Sequence, residues 1–370
     1  MLVSDIRVLT SDMTYEVQAT VSANALKESF TVWYRFPITL QSDLGADNGD
    51  MWLAALLPLA MRLGEEVTIE APVSQRLMRA VRQIQTYYLS SDPSLAEVAV
   101  EAPVIEQDLE HRNRSTRVGL FFSLGVDSFY SLLKRRNSLG EPQEKLPQLI
   151  LVHGFDIFVG RANSQLFAKV LANARMVART LGTEVLPVST NLRDLSDYFV
   201  DWGLYFGAAM ASVGLALQSL FGVVLVASGR VLAYARVEPW GSSPDLDPLW
   251  STEHLTFVHH GCEASRLDKI RLITQFPIVL ETLRVYWENR NNEYNCCRCE
   301  KCLRTMVGLY VAGALSDCKT FRRPMDLQLL RHLGIHPRTI KEVQEVIGAL
   351  GSGPFEVAVK SALMESLANQ

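Results

Sequence analysis

The segment VGLFFSLGVDSFYSLLKRRN, residues 118–137, decides the fold that we expect for this chain. An apolar strand pattern ends near residue 123, and a helical pattern begins near residue 126. Three further apolar strands follow, with helical stretches between them. The strands cover 118–123, 146–154, 182–190 and 222–229, and the helices cover about 126–137, 163–181 and 204–220. This repeated alternation predicts an α/β fold with a doubly wound parallel sheet.

The flanking segments have other patterns. The strand and helix patterns of residues 1–112 predict an N-terminal α+β domain of unknown role. The polar run at 106–116 predicts a linker. The expected strands are at 6–10, 15–21, 30–36, 67–73 and 97–104, and the expected helices are at 51–63 and 75–88. We therefore expect three parts: the α+β domain, a sheet domain at 113–310, and a helical C-terminal extension at 311–370.

The composition of the 370-residue chain is that of an ordinary globular protein, with 48% hydrophobic and 21% charged residues. The net charge of −4 argues against nucleic acid as the main partner. The N-terminus lacks the pattern of a secretory leader, which favours a cytoplasmic location. The apolar stretch at 203–228 is interrupted by Gln218, Ser219 and Gly222, so we interpret it as a buried helix and strand and not as a membrane span.

The first strand of the alternating region ends in a loop suited to an anion. Free N–H groups at the start of a helix favour negative charge, and Gly125 allows close approach to a phosphate. Ser123 and Ser128 can donate hydroxyl hydrogen bonds. Asp127 would either meet Mg²⁺ or orient the loop, and the alternative is that Asp127 and Ser128 only cap the helix. The Walker and dinucleotide-binding fingerprints are both absent from this segment.

This loop resembles the SGGxDS motif of the PP-loop ATP pyrophosphatases, the adenine nucleotide α-hydrolase superfamily, with Leu124 in place of one glycine. The resemblance implies that the loop holds the pyrophosphate that leaves when ATP is cleaved between its α and β phosphates. It implies nucleotide contacts along the whole loop, from Ser123, Leu124, Gly125, Val126, Asp127 and Ser128. Among them, Ser123 and Asp127 are expected to take part in catalysis.

Four of the six cysteines lie within seven residues, Cys296, Cys297, Cys299 and Cys302. The C-x2-C-x2-C spacing of Cys296, Cys299 and Cys302 suits zinc, because closely spaced thiolates converge on one ion at little entropic cost. A chance run of cysteines and a partial iron–sulfur site are the alternatives.

The cluster resembles the CGxCxxC zinc element of the 7-cyano-7-deazaguanine synthases, a PP-loop branch, with Cys297 at the glycine position. That family has its fourth cysteine about ten residues upstream, where this chain has Tyr286 and Trp287. We take Cys262 as the fourth ligand, and the alternatives left open are Cys297, Cys318, His259, His260 and an incomplete site.

Polar residues follow the other strands, at the edge where parallel sheets bind ligands. His153 and Asp156 follow the second strand, where the superfamily contacts adenine and ribose. Thr190-Asn191 closes the third strand, and the fourth strand ends in Ser228, Gly229 and Arg230, of which Arg230 is a candidate catalytic phosphate partner. The same relatives suggest that Arg266 or Lys269 faces the triphosphate and that the loop at 238–248 lies over a second substrate.

Together these features predict an enzyme that uses ATP, Mg²⁺ and Zn²⁺ to adenylate a carboxylate or an amide of a small molecule, after which a nitrogen nucleophile displaces AMP. Sulfur insertion through the same adenylate is one alternative, and a nucleotide-binding regulatory protein without turnover is another. The N-terminal unit would suit substrate recognition or dimerisation, so a homodimer is compatible with this reading.

Overall fold

The computed structural model describes residues 1–45, 47–105, 115–138, 146–235 and 240–369. The strands of these residues are β1 (Leu2–Thr10), β2 (Thr14–Ser22), β3 (Phe30–Pro37), β4 (Val67–Ile69), β5 (Val73–Ser74), β6 (Val100–Glu101), β7 (Val104–Ile105), β8 (Val118–Phe121), β9 (Gln148–His153), β10 (Val185–Thr190), β11 (Val223–Ala227) and β12 (Thr256–His260). The helices are α1 (Gly49–Leu63), α2 (Gln75–Ser91), α3 (Val126–Ser138), α4 (Ser164–Leu181), α5 (Leu192–Ser196), α6 (Trp202–Ala216), α7 (Leu232–Ala235), α8 (Arg266–Ile273), α9 (Pro277–Thr282), α10 (Glu300–Val311), α11 (Leu327–Arg331), α12 (Ile340–Ala349) and α13 (Pro354–Ala368).

The predicted α/β fold is confirmed at this level: a large, mostly parallel central sheet is flanked by helices. Ten strands form one sheet in the order β12-β11-β8-β9-β10-β3-β2-β1-β4-β6. The five strands from β12 to β10 are parallel to one another. From β8 the chain proceeds through β9 to β10 on one side, and then returns to β11 and β12 on the other. Because the chain continues on one side of β8 and later returns to the other side, the crevice beside β8 is a topological switch point. Sheets of this kind bind ligands at such a point.

The strands are apolar on both faces because both faces are covered. Within β9, Leu149 and Leu151 belong to one buried cluster and Ile150 to another. Successive side chains of a strand point to opposite faces, so the two clusters lie on opposite sides of the sheet. One cluster includes residues of α3 and α4, and the other includes residues of α1 and α6. Helices therefore cover both faces of the sheet, which explains the continuous apolar runs in these strands.

The N-terminal strands extend the same sheet. Strand β3 pairs antiparallel with β10, with Arg35 opposite Ser189 and Tyr34 opposite Thr190. Helix α1 packs on α6, and the hydroxyl of Tyr205 donates to the carbonyl of Ala55 at 2.7 Å. Residues 106–114 of the expected linker lie outside the described residues, so the division of the chain near residue 112 stays a prediction.

The largest addition to the predicted elements is β12, a fifth parallel strand that follows a long loop. The apolar stretch at 203–228 covers most of α6 and all of β11. Among the described residues, no helix combines the length and the apolar character needed to cross a membrane. The segment after α10 is helical as expected, with α11, α12 and α13.

Candidate functional site

The loop between β8 and α3 is held in an unusual backbone conformation. Leu124 has a φ of 63° and is fully buried. Its carbonyl accepts the N–H of Arg284 at 2.9 Å, which fixes the loop to the segment after α9. The first helical residue is Val126, and the hydroxyl of Ser128 donates to the carbonyl of Gly125 at 3.1 Å. Leu124 therefore adopts the left-handed conformation that a glycine would adopt more readily.

Asp127 lies at the centre of a group of cations. Its Oδ2 accepts from Arg266 at 2.5 Å, and its Oδ1 lies 3.4 Å from the Nζ of Lys269. Burial alone would raise the pKa of the Asp127 carboxyl, but the charges of Arg266, Lys269 and Lys301 outweigh burial and lower the pKa to about 2. Because both oxygens of Asp127 already have cationic partners, the carboxylate does not fit a dedicated Mg²⁺ site. The sequence left open Mg²⁺ binding, orientation of the loop and helix capping, and the contacts with Arg266 and Lys269 favour the orienting role.

Two short helices carry these cations to the loop. Helix α8 begins after Ser265, whose Oγ accepts the N–H of Asp268 at 3.1 Å. The first turn of this helix presents Arg266 and Lys269 to Asp127. The Nζ of Lys269 also donates to the carbonyl of Ser228 at 2.5 Å, so the end of β11 is tied to the same group. Helix α10 carries Lys301, and burial lowers the pKa of its ammonium group.

Two neighbouring cavities share Asp127 in their linings. We call the first the apolar chamber: it measures about 230 Å³ and its apolar lining includes Phe121, Ile150, Val152, Phe155, Phe206 and Met210. We call the second the cationic chamber: it measures about 460 Å³ and is lined by the five cations Arg230, Arg266, Lys301, Arg304 and Arg338. Its only lining carboxylates among the described residues are Asp127 and Glu342. The crevice therefore has an apolar end and a cationic end.

The structure brings most of the expected nucleotide-binding residues to this crevice. Ser123 and Asp156 line the apolar chamber, and Ser228 and Gly229 line the cationic chamber. A Cβ on Gly229 would lie 3.9 Å from the Oδ2 of Asp127, so the backbone passes close to the carboxylate.

Two of the expected residues are engaged elsewhere. The ring of His153 stacks on Phe167, with centroids 4.0 Å apart, and its Nε2 lies 3.2 Å from the carbonyl of Phe158. Asn191 accepts the N–H of Trp33 and donates to the carbonyl of Thr31, so it joins β10 to β3. Both residues thus have structural partners that the sequence pattern could not indicate.

The far wall of the cationic chamber comes from the C-terminal extension. The guanidinium of Arg338 lies 3.8 Å from the ring centroid of Trp240, and its carbonyl accepts from Arg230 at 2.7 Å. Arg304 forms ion pairs with Glu300 and with Glu342 of α12. Of the loop expected over a second substrate, Trp240 and Ser242 line this chamber, and 238–239 lie outside the described residues.

Three cysteines form a compact cluster. The Sγ atoms of Cys296, Cys299 and Cys302 lie within 4.8 Å of one another, and those of Cys296 and Cys302 are 3.7 Å apart. In a tetrahedral site with zinc–sulfur bonds of about 2.3 Å, two sulfurs would be about 3.8 Å apart. A hydrogen bond from the thiol of Cys302 lowers the pKa of Cys299 to about 6. The three thiols could therefore hold a metal ion such as zinc.

The remaining cysteines lie outside this cluster. Cys262 is in the turn after β12, where its carbonyl accepts the N–H of Leu232 at 2.8 Å, and it is not part of the three-sulfur group. Cys297 is buried, with its Sγ 3.8 Å from the carbonyl of Asn295. Its φ of 58° is left-handed, at the position where the related motif has glycine. The cluster thus contains three of the four ligands that we expected.

The cluster is connected to the crevice through α10. Cys299 caps this helix by accepting the N–H of Cys302 at 3.4 Å. Lys301 and Arg304, one and four residues after the helix begins, line the cationic chamber. No role was predicted for Lys301 or Arg304 from the sequence, although their position beside the cysteines was a usable signal. Arg284 and Arg338 lie in segments without a recognisable motif.

Comparisons of the chain with protein-family models, curated proteins and solved structures return no match. The resemblance to the PP-loop superfamily therefore rests on the residues of the loop and of the cysteine cluster.

Proposed function

We propose that this chain is an ATP-dependent adenylating enzyme, which activates a carboxylate or an amide of a small molecule and releases pyrophosphate. A nitrogen nucleophile then displaces AMP. The observation that carries this proposal is the meeting of an apolar chamber and a cationic chamber at Asp127, in the loop at the switch point of a parallel sheet. This is the arrangement that a purine base with a phosphate chain requires.

The chambers support one orientation of ATP. The base would enter the apolar chamber, between the ends of β8 and β9, where Asp156 is available to the ribose hydroxyls. The phosphates would extend past Asp127 to Arg266 and Lys301, with the N–H groups at the start of α3 facing them. The strand order of β8–β12, 3-2-1-4-5 when counted along the chain, is compatible with the adenine nucleotide α-hydrolase fold.

Catalysis in this proposal is positioning and charge stabilisation. The acceptor oxygen attacks the α-phosphorus, and the bond from that phosphorus to the oxygen bridging to the β-phosphate breaks. Arg266 and Lys301 stabilise the charge that develops on the departing pyrophosphate, while Asp127 keeps Arg266 and Lys269 in position. Arg230 would hold the C-terminal wall through the carbonyl of Arg338. Mg²⁺ would arrive bound to the nucleotide, and none of these roles requires it as a ligand of Asp127.

A zinc ion held by Cys296, Cys299 and Cys302 would have a structural role. It would fix the start of α10 and with it the side chains of Lys301 and Arg304. The buried thiol of Cys297 favours nitrogen over sulfur as the nucleophile, because a persulfide carrier has to reach its acceptor.

The test is the set of products formed from ATP. The protein is incubated with ATP, Mg²⁺ and a metabolite extract, and mass spectrometry follows AMP, pyrophosphate and new adducts. We expect AMP and pyrophosphate in equal amounts, and an Arg266→Met variant to form them at least about 100-fold more slowly. The matched control is Arg271→Met on the same helix, whose side chain is half-exposed and pairs with Asp268.

Two results would contradict the proposal. One is ATP binding without formation of AMP or pyrophosphate in any extract, which would favour a regulatory protein. The other is equal loss of activity in the Arg266 and Arg271 variants, which would separate the activity from the cationic chamber.

A further inference from the structure

A buried histidine–aspartate pair lies in the wall of the cationic chamber. The Nδ1 of His259, near the end of β12, is 2.7 Å from the Oδ2 of Asp247, and the two side chains are 5% and 4% exposed. Asp247 also accepts from the Oγ of Ser242 at 2.8 Å and from the N–H of Ser243 at 3.3 Å. The carboxylate is therefore fixed by three donors, and it in turn fixes the imidazole ring.

These contacts determine which nitrogen of His259 is reactive. A carboxylate that accepts from Nδ1–H leaves the lone pair of the neutral ring on Nε2. Among the described residues, Nε2 has no hydrogen-bond partner, although the atom is buried. Buried polar atoms in folded proteins nearly always have a partner. An orphaned nitrogen at the wall of a ligand chamber therefore points to a partner that arrives with the substrate.

The position of His259 relates it to the reaction proposed above. His259 lines the cationic chamber together with Asp127, Ser228 and Arg266. Its strand lies next to β11, and the N–H of Ser228 donates to the carbonyl of His260 at 2.8 Å. His259 lines the cationic chamber and not the apolar chamber, so it lies at the end of the crevice where the phosphates, the acceptor and its nucleophile would meet.

We propose that His259, oriented by Asp247, is the general base of the second half of the reaction; this inference rests on the proposed function. The nitrogen nucleophile attacks the acyl carbon of the acceptor adenylate, forms the carbon–nitrogen bond and gives one proton to Nε2. The bond from the acyl carbon to the AMP oxygen breaks, and AMP leaves with the electron pair. Asp247 stabilises the imidazolium, which then releases its proton to water.

The test measures the two half-reactions separately. Exchange of labelled pyrophosphate into ATP, with an ammonium-free metabolite extract as the source of acceptor, reports adenylation. AMP release on addition of ammonium chloride reports transfer. We expect His259→Gln to retain exchange within about threefold and to lose ammonium-dependent AMP release by about 100-fold or more. Asp247→Asn should lose at least about tenfold of the same step, because the ring would no longer be held with its lone pair on Nε2.

The matched control is His260→Gln, the adjacent residue on the opposite face of β12, which should leave both half-reactions unchanged. Undiminished ammonium-dependent AMP release in His259→Gln would overturn the inference. Parallel loss of pyrophosphate exchange and AMP release would also overturn it, provided that the variant has the circular dichroism spectrum of the wild type. If the Gln variant does not fold, the Asp247→Asn variant decides by the same criteria. Absence of exchange in the wild-type protein is a different result: it overturns the proposed function, and the role of the pair with it.

Discussion

The phosphate loop and the cysteine cluster share a backbone feature but are stabilised in different ways. Leu124 and Cys297 stand where the motifs that these segments resemble have glycine, and both are left-handed, with φ values of 63° and 58°. A side chain in this conformation costs about 1–2 kcal/mol. Leu124 offsets that cost by burying a large apolar side chain, whereas Cys297 buries only a small thiol. Both substitutions preserve the backbone of the motif while altering the side chain.

The two regions also differ in how their charges are balanced. Asp127 has its counterions within the chain, Arg266 and Lys269. The three clustered thiols have backbone donors, such as the N–H of Cys299 at 3.2 Å from the sulfur of Cys296, but their mutual approach suits deprotonated ligands around a cation. The loop can therefore keep its shape without an added ion, whereas the cluster has the arrangement of a site that could hold a metal ion.

The largest effect is expected from removing a cluster thiol. Cys302→Ser should lose the bound metal and lower the free energy of unfolding by at least about 5 kcal/mol, because structural zinc sites contribute roughly 10 kcal/mol or more. Metal content per chain by mass spectrometry and urea unfolding measure the two effects. Cys297→Ser is the matched control, since its sulfur lies outside the three-sulfur group, and it should retain the metal. Purified wild-type protein without metal, or equal metal loss in both variants, would contradict this assignment.

The next largest effect on stability is expected to differ between Leu124 and Cys297, the two residues with a left-handed backbone in these motifs. Leu124→Gly removes the strain but also a fully buried leucine, whose loss costs roughly 2–5 kcal/mol, so we expect net destabilisation by about 2–3 kcal/mol. Cys297→Gly removes similar strain and a much smaller side chain, so its unfolding free energy should stay within about 1 kcal/mol of the wild type. Urea unfolding of both variants with metal bound measures the contrast. A stabilised Leu124→Gly would mean that strain, and not burial, dominates in the loop.

The sheet was predictable because its strands and helices alternate in a clear apolar pattern. Strand β12 was not predicted, because it follows a long loop and not a helix. The alternation of strands and helices in the sequence stops before it. The loop and the cysteines were visible as local motifs, since their ligands are close in sequence. Arg266 was visible through its position at the start of a helix.

The rest of the site depends on contacts between distant parts of the chain. Arg338 reaches the chamber because it stacks on Trp240, and Glu342 does so because α12 packs on α8 and α10. Neither contact has a sequence signature. The pairing of His259 with Asp247 has the same origin, because residues 248–258 between them include the turn and the start of β12 that bring the two side chains together. Local patterns thus identified the loop and the cluster, but not the wall that completes the chamber.

The smallest expected effect on stability concerns the ion pairs of Asp127 with Arg266 and Lys269. The pKa of Asp127 is lowered from 3.8 to about 2 in the folded protein. A lowered pKa means that the carboxylate stabilises the fold above pH 4, by roughly 2 kcal/mol, and that this contribution is lost as the pH falls through 2. Asp127→Asn should therefore be less stable than the wild type at pH 5, with roughly half of the difference gone by pH 3.

Urea unfolding at the two pH values measures this difference. The matched control is Asp268→Asn on α8, where the carboxylate is 57% exposed and lies 3.4 Å from Arg271. Ion pairs between exposed side chains contribute little to stability, so the unfolding free energy of this variant should match that of the wild type at both pH values. A pH-independent difference between Asp127→Asn and the wild type would show that Asp127 acts by shape and not by charge. In that case the cations around Asp127 would need a bound anion to hold them together, just as the thiolates of the cluster would be held together by a bound cation.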